Sequence, residues 1–534
     1  MKYRCSTLLL FSSVLAFFSC GKKESTFTEE DVFRYNESAN IQTLDPAFAR
    51  NMAIIWPCNQ LFNGLVQLND SLQVQPDIAK SWAISPDGLT YQFTLRNDVY
   101  FHKHINFGKD STRVVVASDF VYSFDRVLDE QLASPGTWVF QNVKEYQAVN
   151  DSVFQIQLSK PFPAFLSLLS MEYASVVPKE ITEDKSIDFR SNPIGTGPYQ
   201  FKIWEENVKL VLRKNTNYHE LDNKGNRLPY LESIAVTFLP DKQSSYLQFI
   251  QGKIDFISGL DPSYKDDLLQ ANGDLREKYA SSIHKQTGPY LNTEYLGFNM
   301  NDPLMKDRRI RQALNLGFDR NKLVDYLRNG MGDGNVHGII PNGLLGSSVS
   351  KDSKYNPSKA KQLVDEVKKE GRQNLVISLS TNSTYLDIAE YLQREWEKIG
   401  ITVKVDVMPP STLRQSIATN KVSFFRGSWI ADYPDAENYL SLFYSKNFTP
   451  NGPNYTHFKN ETYDQLYEKT LQTVNDEQRI ALYQQMDEII ANEVPVIVLF
   501  YDKVARFSHK NISGLPTNPM NILNVKYVQK KSTK

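Results

Sequence analysis

The chain has 534 residues, too many for one ordinary hydrophobic core, so two or three domains are expected. Its 41% hydrophobic and 23% charged residues are typical of a globular protein. A net charge of −1 provides no field for a polyanion, and this excludes nucleic acid as a partner.

The N-terminus has the pattern of an export signal. Lys2 and Arg4 form a positive region, and an apolar run follows from Leu8 to Phe18. The run is too short for a settled transmembrane helix. We therefore predict a signal peptide over residues 1–19.

Cys20 is the predicted lipidation site. A small residue, Ser19, stands directly before it, as in the lipobox of bacterial lipoproteins, although Phe17 replaces the usual leucine. This resemblance implies a lipid (palmitate) on Cys20 and a polar tether over residues 20–31. The alternative is an ordinary signal peptide whose cleavage removes Cys20.

The remaining cysteines exclude an internal disulfide. Cys5 lies in the predicted signal peptide and Cys20 would carry lipid, which leaves Cys58 alone. Cys58 follows the apolar run Ile54-Ile55-Trp56 and is predicted to be a small buried hydrophobe rather than a nucleophile.

The first half of the body is predicted to be rich in strands with intervening helices. One helix ends before Gly64, predicted as its C-cap, and another begins at Ser118, predicted as its N-cap. Apolar residues at every second position predict strands near 89–95, 154–158, 208–212 and 234–238.

The second half has an α/β pattern. Residues 375–379 read as a buried strand, 386–396 as a helix with one apolar face, and 401–405 as the next strand. Such a unit implies neighbouring parallel strands. A helix over 476–491 and a buried strand over 494–500 follow. Without a flexible linker, crossing strands are expected to join the domains, which suits a hinge.

Residues 424–439 hold the most suggestive group of side chains. Arg426, Trp429 and Asp432 lie within seven residues, next to a Tyr-Pro pair that cannot continue a helix. A cation, an apolar wall and a carboxylate are what a cleft for a zwitterion needs. The alternative is a strand that runs into an ordinary solvated turn.

Catalytic motifs are missing from the sequence. It contains no His-Glu-x-x-His, no Gly-x-Ser-x-Gly and no Gly-x-x-x-x-Gly-Lys, so no enzyme activity and no cofactor are predicted. His102 and His104 flank Lys103 on a predicted hairpin. Two histidines make no closed metal site, and we interpret them as exposed polar residues.

Several separated segments together resemble the family 5 extracellular solute-binding proteins, the oligopeptide- and dipeptide-binding components of ABC importers. Their order and spacing cover nearly all of the mature chain. The matching segments are Thr43-Leu44-Asp45-Pro46, Leu61-Phe62-Asn63-Gly64-Leu65, Pro76-Asp77-Ile78-Ala79-Lys80-Ser81-Trp82, Ser118-Asp119-Phe120-Val121-Tyr122-Ser123 with Arg126, Pro193-Ile194-Gly195-Thr196-Gly197-Pro198-Tyr199, Arg308 with Ile310-Arg311-Gln312-Ala313-Leu314, and Trp429-Ile430-Ala431-Asp432-Tyr433.

The resemblance implies an α/β, two-lobed periplasmic-binding-protein fold (type II, cluster C) with an extra subdomain on lobe I. Lobe I would comprise residues 32–291, completed by 499–534. Lobe II would comprise 292–498, and the two crossing segments would form the hinge.

The resemblance also assigns a binding site. Asp432, in the segment that ends at Tyr433, would hold the α-ammonium of a peptide. Arg426 would assist with the ligand carboxylate, and Trp429 would form a wall between them. Ser428 and Ile430 would offer backbone groups that pair with the peptide as a strand does.

Lobe I would contribute the edge near Asn51 and Met52 and an aromatic wall at Trp138. This chain departs from the oligopeptide binders in two places. Their tyrosine aligns with Gly136, and the tryptophan that some members carry is replaced near Pro409-Pro410. Ligand length and side-chain preference therefore stay open.

The predicted function is capture of short peptides between two closing lobes and delivery to ABC permease subunits. The protein would be a monomer, lipid-anchored and facing the periplasm, on a membrane that the sequence does not identify. One alternative is the same fold with a metal chelate, an oligosaccharide or haem as ligand. Others are a secreted hydrolase and a receptor that passes ligand to a sensor.

Overall fold

A computed structural model describes residues 28–261, 263–347 and 355–532. The predicted signal peptide 1–19, the predicted lipid site Cys20 and most of the tether lie outside these ranges. Within them, none of the helices combines the length and the apolar character needed to cross a bilayer.

The strands of the described ranges are β1 Val32–Asn36, β2 Val66–Leu68, β3 Val74–Pro76, β4 Ala79–Ile84, β5 Thr90–Leu95, β6 Val143–Asn150, β7 Val153–Leu158, β8 Tyr199–Glu205, β9 Lys209–Lys214, β10 Ser233–Thr237, β11 Phe256–Ser258, β12 Ile283–Phe298, β13 Gly332–Asp333, β14 Val376–Thr381, β15 Thr402–Val407, β16 Phe424–Ile430, β17 Val496–His509, β18 Ile512–Ser513 and β19 Gln529–Lys530. The α-helices are α1 Met52–Leu61, α2 Ala117–Leu128, α3 Phe165–Leu168, α4 Lys179–Thr182, α5 Lys242–Ile250, α6 Lys265–Leu268, α7 Glu277–Ala280, α8 Arg308–Leu316, α9 Arg320–Arg328, α10 Pro357–Lys369, α11 Leu386–Lys398, α12 Pro410–Ala418, α13 Glu437–Leu440, α14 Glu461–Gln472 and α15 Asp476–Glu493.

One mixed sheet of eleven strands organises the molecule. Its order is β15-β14-β16-β12-β17-β11-β1-β10-β9-β8, with β13 attached to β17. β1 runs parallel to β10 and β11, and β14 runs parallel to β15 and β16. The predicted strand–helix–strand unit is confirmed, because α11 connects the parallel strands β14 and β15.

β12 and β17 run through both halves of this sheet. They pair antiparallel from Ile283 opposite His509 to Gly297 opposite Val496, with an interruption between Pro289 and Thr293. At one end β17 pairs with β11, and at the other end β12 pairs with β16. The domain boundaries predicted at 291/292 and 498/499 fall inside these two strands and stay a prediction.

A separate four-stranded antiparallel sheet, in the order β4-β5-β7-β6, packs against α2. Its core includes Phe93, Phe120, Phe124 and Phe154, all fully buried. The prediction that Ser118 caps α2 is wrong. The N-cap position is held by Val116, whose N–H donates to the Asp119 carboxylate at 2.9 Å.

The predicted C-cap of the first helix also differs from the structure. α1 ends at Leu61 with Phe62 as its C-cap, so Gly64 is not the cap. Gly64 instead lies where the backbone passes close to another segment, since a β-carbon there would stand 3.2 Å from the Leu169 carbonyl oxygen. Cys58 is fully buried and free, as predicted.

His102 is buried, so its interpretation as an exposed hairpin residue is wrong. Its ring lies between two glycines of the Gly195-Thr196-Gly197 segment. Nδ1 accepts from the Gly195 N–H at 3.2 Å, and Nε2 lies 3.0 Å from the Gly197 carbonyl oxygen. Burial lowers the pKa of His102 to about 4, although the hydrogen bond to Gly197 acts in the opposite direction.

Candidate functional site

The strand β16 offers an unpaired edge along most of its length. β12 pairs with all of β16, from Phe424 to Ile430. On the other side, among the residues described, β14 meets β16 only where Ser380 lies opposite Phe425. The edge from residue 426 to residue 430 is therefore available to another extended chain.

The register shows which backbone groups face this open edge. The Ala431 N–H donates to the Leu291 carbonyl at 2.9 Å, and the Ser423 carbonyl accepts from the Asn299 N–H at 2.8 Å. In an antiparallel pair every second residue points its backbone groups at the partner strand. Odd-numbered residues of β16 thus face β12, and the N–H and C=O of Ser428 and Ile430 point to the open edge.

Asp432 lies two residues after the end of β16 and is positioned by Asn438 of α13. The Asn438 Oδ1 accepts from the Asp432 N–H at 3.3 Å and from the Trp429 Nε1–H at 2.8 Å. Its Nδ2 donates to Asp432 Oδ2 at 3.5 Å. One buried amide therefore fixes both the carboxylate and the indole that the sequence analysis singled out.

The Asp432 side chain is exposed to solvent, but the protein around it shifts its pKa. Burial raises the pKa of Asp432, and the hydrogen bond from Asn438 acts in the opposite direction. A carboxylate that has lost part of its hydration gains more from an ammonium partner than one in bulk water.

Arg426 already has a partner in this structure. Its Nη2 forms a buried ion pair with Glu294 of β12, and the two side chains are 12% and 2% exposed. The guanidinium carbon stands 3.3 Å from the centre of the Tyr385 ring, a cation–π geometry. Burial acts to lower the pKa of Arg426, but the charge and hydrogen bond of Glu294, together with the nearby Tyr385 and Tyr295, outweigh burial and the net shift is upward.

Glu294 belongs to a polar cluster that joins β12 and β17. Asn292 Nδ2 donates to Glu294 at 3.1 Å and to Asp502 at 3.2 Å. Burial, and then repulsion by Glu294, raises the pKa of Asp502 to about 6. Arg328 acts in the opposite direction, and its guanidinium carbon lies 5.5 Å from the Tyr385 ring centre.

Trp138 meets the site segment at Tyr433. Their ring centres are 6.2 Å apart with the planes at 35°. Tyr433 is buried against the core of the four-stranded sheet, and its hydroxyl donates to Glu437. The structure thus brings the predicted aromatic wall of the first half to the end of the predicted binding segment.

Asn51 and Met52 stand at the start of α1. The Asn51 side chain is the N-cap and accepts from the Ile54 N–H at 3.3 Å, while Met52 packs on the neighbouring core. In this structure Asn51 therefore caps the helix and Met52 contributes to packing.

Sequence reasoning missed Glu294, Asn438 and Tyr385. Glu294 directly precedes the apolar run Tyr295-Leu296-Gly297-Phe298, and a charged residue at that place was a usable signal. Asn438 and Tyr385 carry no local pattern that distinguishes them.

One cluster has a composition that suits a metal. Asp77, His219 and Glu220 place ligand atoms within 4.8 Å of one another. Their side chains, however, serve each other and their neighbours. His219 Nε2 lies 3.3 Å from Asp77, Asp77 accepts from Asn63, and Lys526 pairs with Glu220 at 2.6 Å. We interpret the cluster as an internal ion-pair network.

Residues 73–451 match the family of bacterial extracellular solute-binding proteins, family 5 (middle). The chain belongs to this family. The resemblance of the separated segments and the predicted two-lobed fold with its extra subdomain are thereby confirmed. The family comprises solute-binding proteins rather than enzymes.

Curated relatives extend the match over most of the chain. The dipeptide-binding protein of Escherichia coli (strain K12) is 24% identical over 485 residues, 86% of this chain and 87% of that protein. Heme-binding protein A of Haemophilus influenzae is 28% identical over 463 residues, 82% of this chain and 81% of that protein. The family is thus shared by proteins named for different ligands.

The solved structure of the periplasmic binding protein DppA from Helicobacter pylori, in complex with the peptide STSA, has the same fold. It superposes with a TM-score of 0.77 at 24% identity, covering 94% of this chain and 98% of that one.

Proposed function

We propose that this protein is the substrate-binding component of an ABC importer and that it binds short peptides along β16. The observation that carries the proposal is an open strand edge followed, two residues after its end, by an accessible carboxylate, Asp432. An extended peptide can add to the edge through its backbone, and its ammonium group then meets Asp432. The names of the E. coli and H. pylori proteins support the same ligand class.

The predicted site residues other than Arg426 have separate tasks in this proposal. Asp432 holds the ligand ammonium by a charge-assisted hydrogen bond. The backbone groups of Ser428 and Ile430 pair with the peptide backbone without regard to its sequence. Trp429, held by Asn438, walls the cleft.

Residues from the first half of the chain would cover the bound peptide from the other side. Asn51 and Met52 present the start of α1, and Trp138 adds an aromatic surface. Tyr433 connects Trp138 to the binding segment. Closure of the two lobes would then expel water and strengthen the contact at Asp432.

Delivery requires retention near a permease. We propose that lipid on Cys20 anchors a monomer at the cell envelope, where it faces the periplasm and passes peptide to ABC permease subunits without catalysing a reaction. Mass spectrometry of the mature protein tests the anchor. The expected N-terminal residue is a lipid-modified Cys20, and an unmodified terminus at another residue would contradict this.

Calorimetry with a pool of tripeptides tests the ammonium contact. A micromolar Kd corresponds to about −8 kcal/mol, and loss of the Asp432 charge should remove about 2–5 kcal/mol of it. We expect Asp432→Asn, which keeps the side-chain size, to weaken binding about 30-fold or more. N-acetylation of the peptides should have a similar effect on the wild type.

The matched control is Asp406→Asn, which removes an exposed carboxylate from β15 and should leave affinity unchanged. Wild-type affinity in Asp432→Asn, or equal binding of acetylated and free peptides, would refute the role given to Asp432.

Haem is the competing ligand, because the H. influenzae relative is named as heme-binding. Titration with haemin separates the two readings. A saturable haemin spectrum that is insensitive to Asp432→Asn, together with no heat from peptides, would favour haem over peptide.

A further inference from the structure

We propose that Glu294 determines ligand specificity by forming an ion pair with Arg426. The cleft then accepts peptides without binding their C-terminal carboxylate at Arg426. The inference rests on the proposed function and concerns the end of the site away from Asp432. It changes the task expected of Arg426 from a ligand partner to half of an internal pair.

Both members of the pair are fixed in place. Glu294 is 2% exposed and accepts from Arg426, from Asn292 at 3.1 Å and from the Tyr385 hydroxyl at 3.4 Å. Arg426 is 12% exposed, and its guanidinium carbon lies over the Tyr385 ring, 3.3 Å from the ring centre. A ligand carboxylate could bind Arg426 only by leaving Glu294 as a buried charge with a weakened partner, which is strongly unfavourable.

The surroundings repel an incoming anion as well. Asp502 lies close enough to Glu294 to share the Asn292 amide, so two carboxylates stand near Arg426. Arg328 is the second cation of the group, and its charge acts on Asp502. With two acidic and two basic side chains, the cluster has no positive charge in excess for a ligand.

The pair lies on the path that a peptide would take. Ser428 stands opposite Glu294 in the β12–β16 register, and Arg426 precedes Ser428 by two residues on the same face of β16. Arg426 and Ile430 are separated by about 13 Å of extended strand, and Asp432 lies two residues beyond the end of the strand. A peptide with its ammonium at Asp432 therefore reaches this cluster after about four to six residues.

The experiment compares peptides with a free C-terminal carboxylate and the same peptides with a C-terminal amide. Alanine-based peptides of three to six residues would be titrated by calorimetry into the wild type, Glu294→Gln, and the double variant Glu294→Gln/Arg426→Gln. For the wild type we expect the acid and amide forms to bind within about twofold of each other at every length.

In Glu294→Gln, Arg426 loses its charged partner but keeps a neutral group of the same size. At the length that reaches Arg426, we expect the acid to bind about tenfold or more tightly than the amide. The double variant should return the ratio to about one.

Preference of the wild type for the acid form would overturn the inference, and this result needs no variant. An acid-to-amide ratio that Glu294→Gln leaves unchanged would also overturn it. In both cases binding of the free amino terminus at Asp432 would survive as a separate finding. If no peptide binds to the wild type, the proposed function fails and this inference fails with it.

Discussion

His102 is a buried histidine that the fold keeps neutral, and its replacement by glutamine should change how stability depends on pH. The ring is 2% exposed and accepts from Gly195 while it faces the carbonyl of Gly197. A second proton would have to sit on Nδ1, opposite the Gly195 N–H, in a buried site. Glutamine retains polar groups but cannot take up a proton.

The size of the effect follows from the two pKa values. The unfolded chain protonates His102 near its ordinary pKa of 6.5, and the folded protein does so at about 4. Between these values the unfolded state binds more protons, so the folded state loses stability as the pH falls. The loss amounts to about 2 kcal/mol at pH 5 and about 3 kcal/mol at pH 4.

Guanidinium denaturation followed by tryptophan fluorescence measures this loss. At about pH 7.5 we expect His102→Gln to be less stable than the wild type by about 1–3 kcal/mol, because hydrogen bonds to Gly195 and Gly197 are disturbed. At about pH 5 the difference should have shrunk by about 2 kcal/mol. Taking the difference between two proteins cancels the carboxyl groups that titrate in both.

His284→Gln is the control, since His284 is exposed and should give the same pH dependence as the wild type. A difference between wild type and His102→Gln that stays constant from about pH 7.5 to pH 4.5 would refute the reasoning.

Three further predictions concern other parts of the molecule. Asp502→Asn should stabilise the protein at neutral pH by up to about 3 kcal/mol and have little effect below about pH 4. The reason is that burial raises the pKa of Asp502 from 3.8 to about 6, so the folded protein favours the protonated form. An equal effect at both pH values in denaturant titrations would contradict this. Asn438→Ala should weaken peptide binding about tenfold in calorimetry, because Asp432 and the Trp429 indole lose their common partner. Unchanged affinity would show that both side chains keep their positions without Asn438. Trp396→Ala should lower the free energy of unfolding by about 3–5 kcal/mol in the same denaturant titrations, since the ring is fully buried and its Nε1–H donates to a backbone carbonyl. A loss below about 1 kcal/mol would mean that neighbouring core side chains fill the space.

The predictable parts of the fold were those with a strong local period. Alternating or helical apolar patterns located β5, β7 and the unit around α11 to within a few residues. Capping was less predictable because a neighbour can take over the role, as Asp119 does in place of Ser118. The burial of His102 depends on Gly195 and Gly197, more than ninety residues away, and no local pattern contains it.

The site divides in the same way. Arg426, Trp429 and Asp432 are close in sequence, and their chemical types suggested a binding segment. Their actual partners come from other elements, so the sequence did not show that Glu294 already pairs with Arg426 or that Asn438 supports Asp432. Proximity in sequence identifies the groups, but the tertiary structure decides which of them are available to a ligand.

Leu291 lies at the interruption between β12 and β17 and connects three other segments of the chain. Its N–H donates to the Pro519 carbonyl at 2.7 Å, and its own carbonyl accepts from Ala431 and from the Tyr439 hydroxyl, at 2.9 and 2.7 Å. This residue lies where β12 leaves the register of β17, between Pro289 and Thr293. If β12 and β17 form the predicted hinge, its rotation would also displace Leu291, whose carbonyl holds Ala431, the residue before Asp432. Lobe rotation and the position of the binding segment would then be coupled directly through this hydrogen bond, without a chain of contacts through the protein interior.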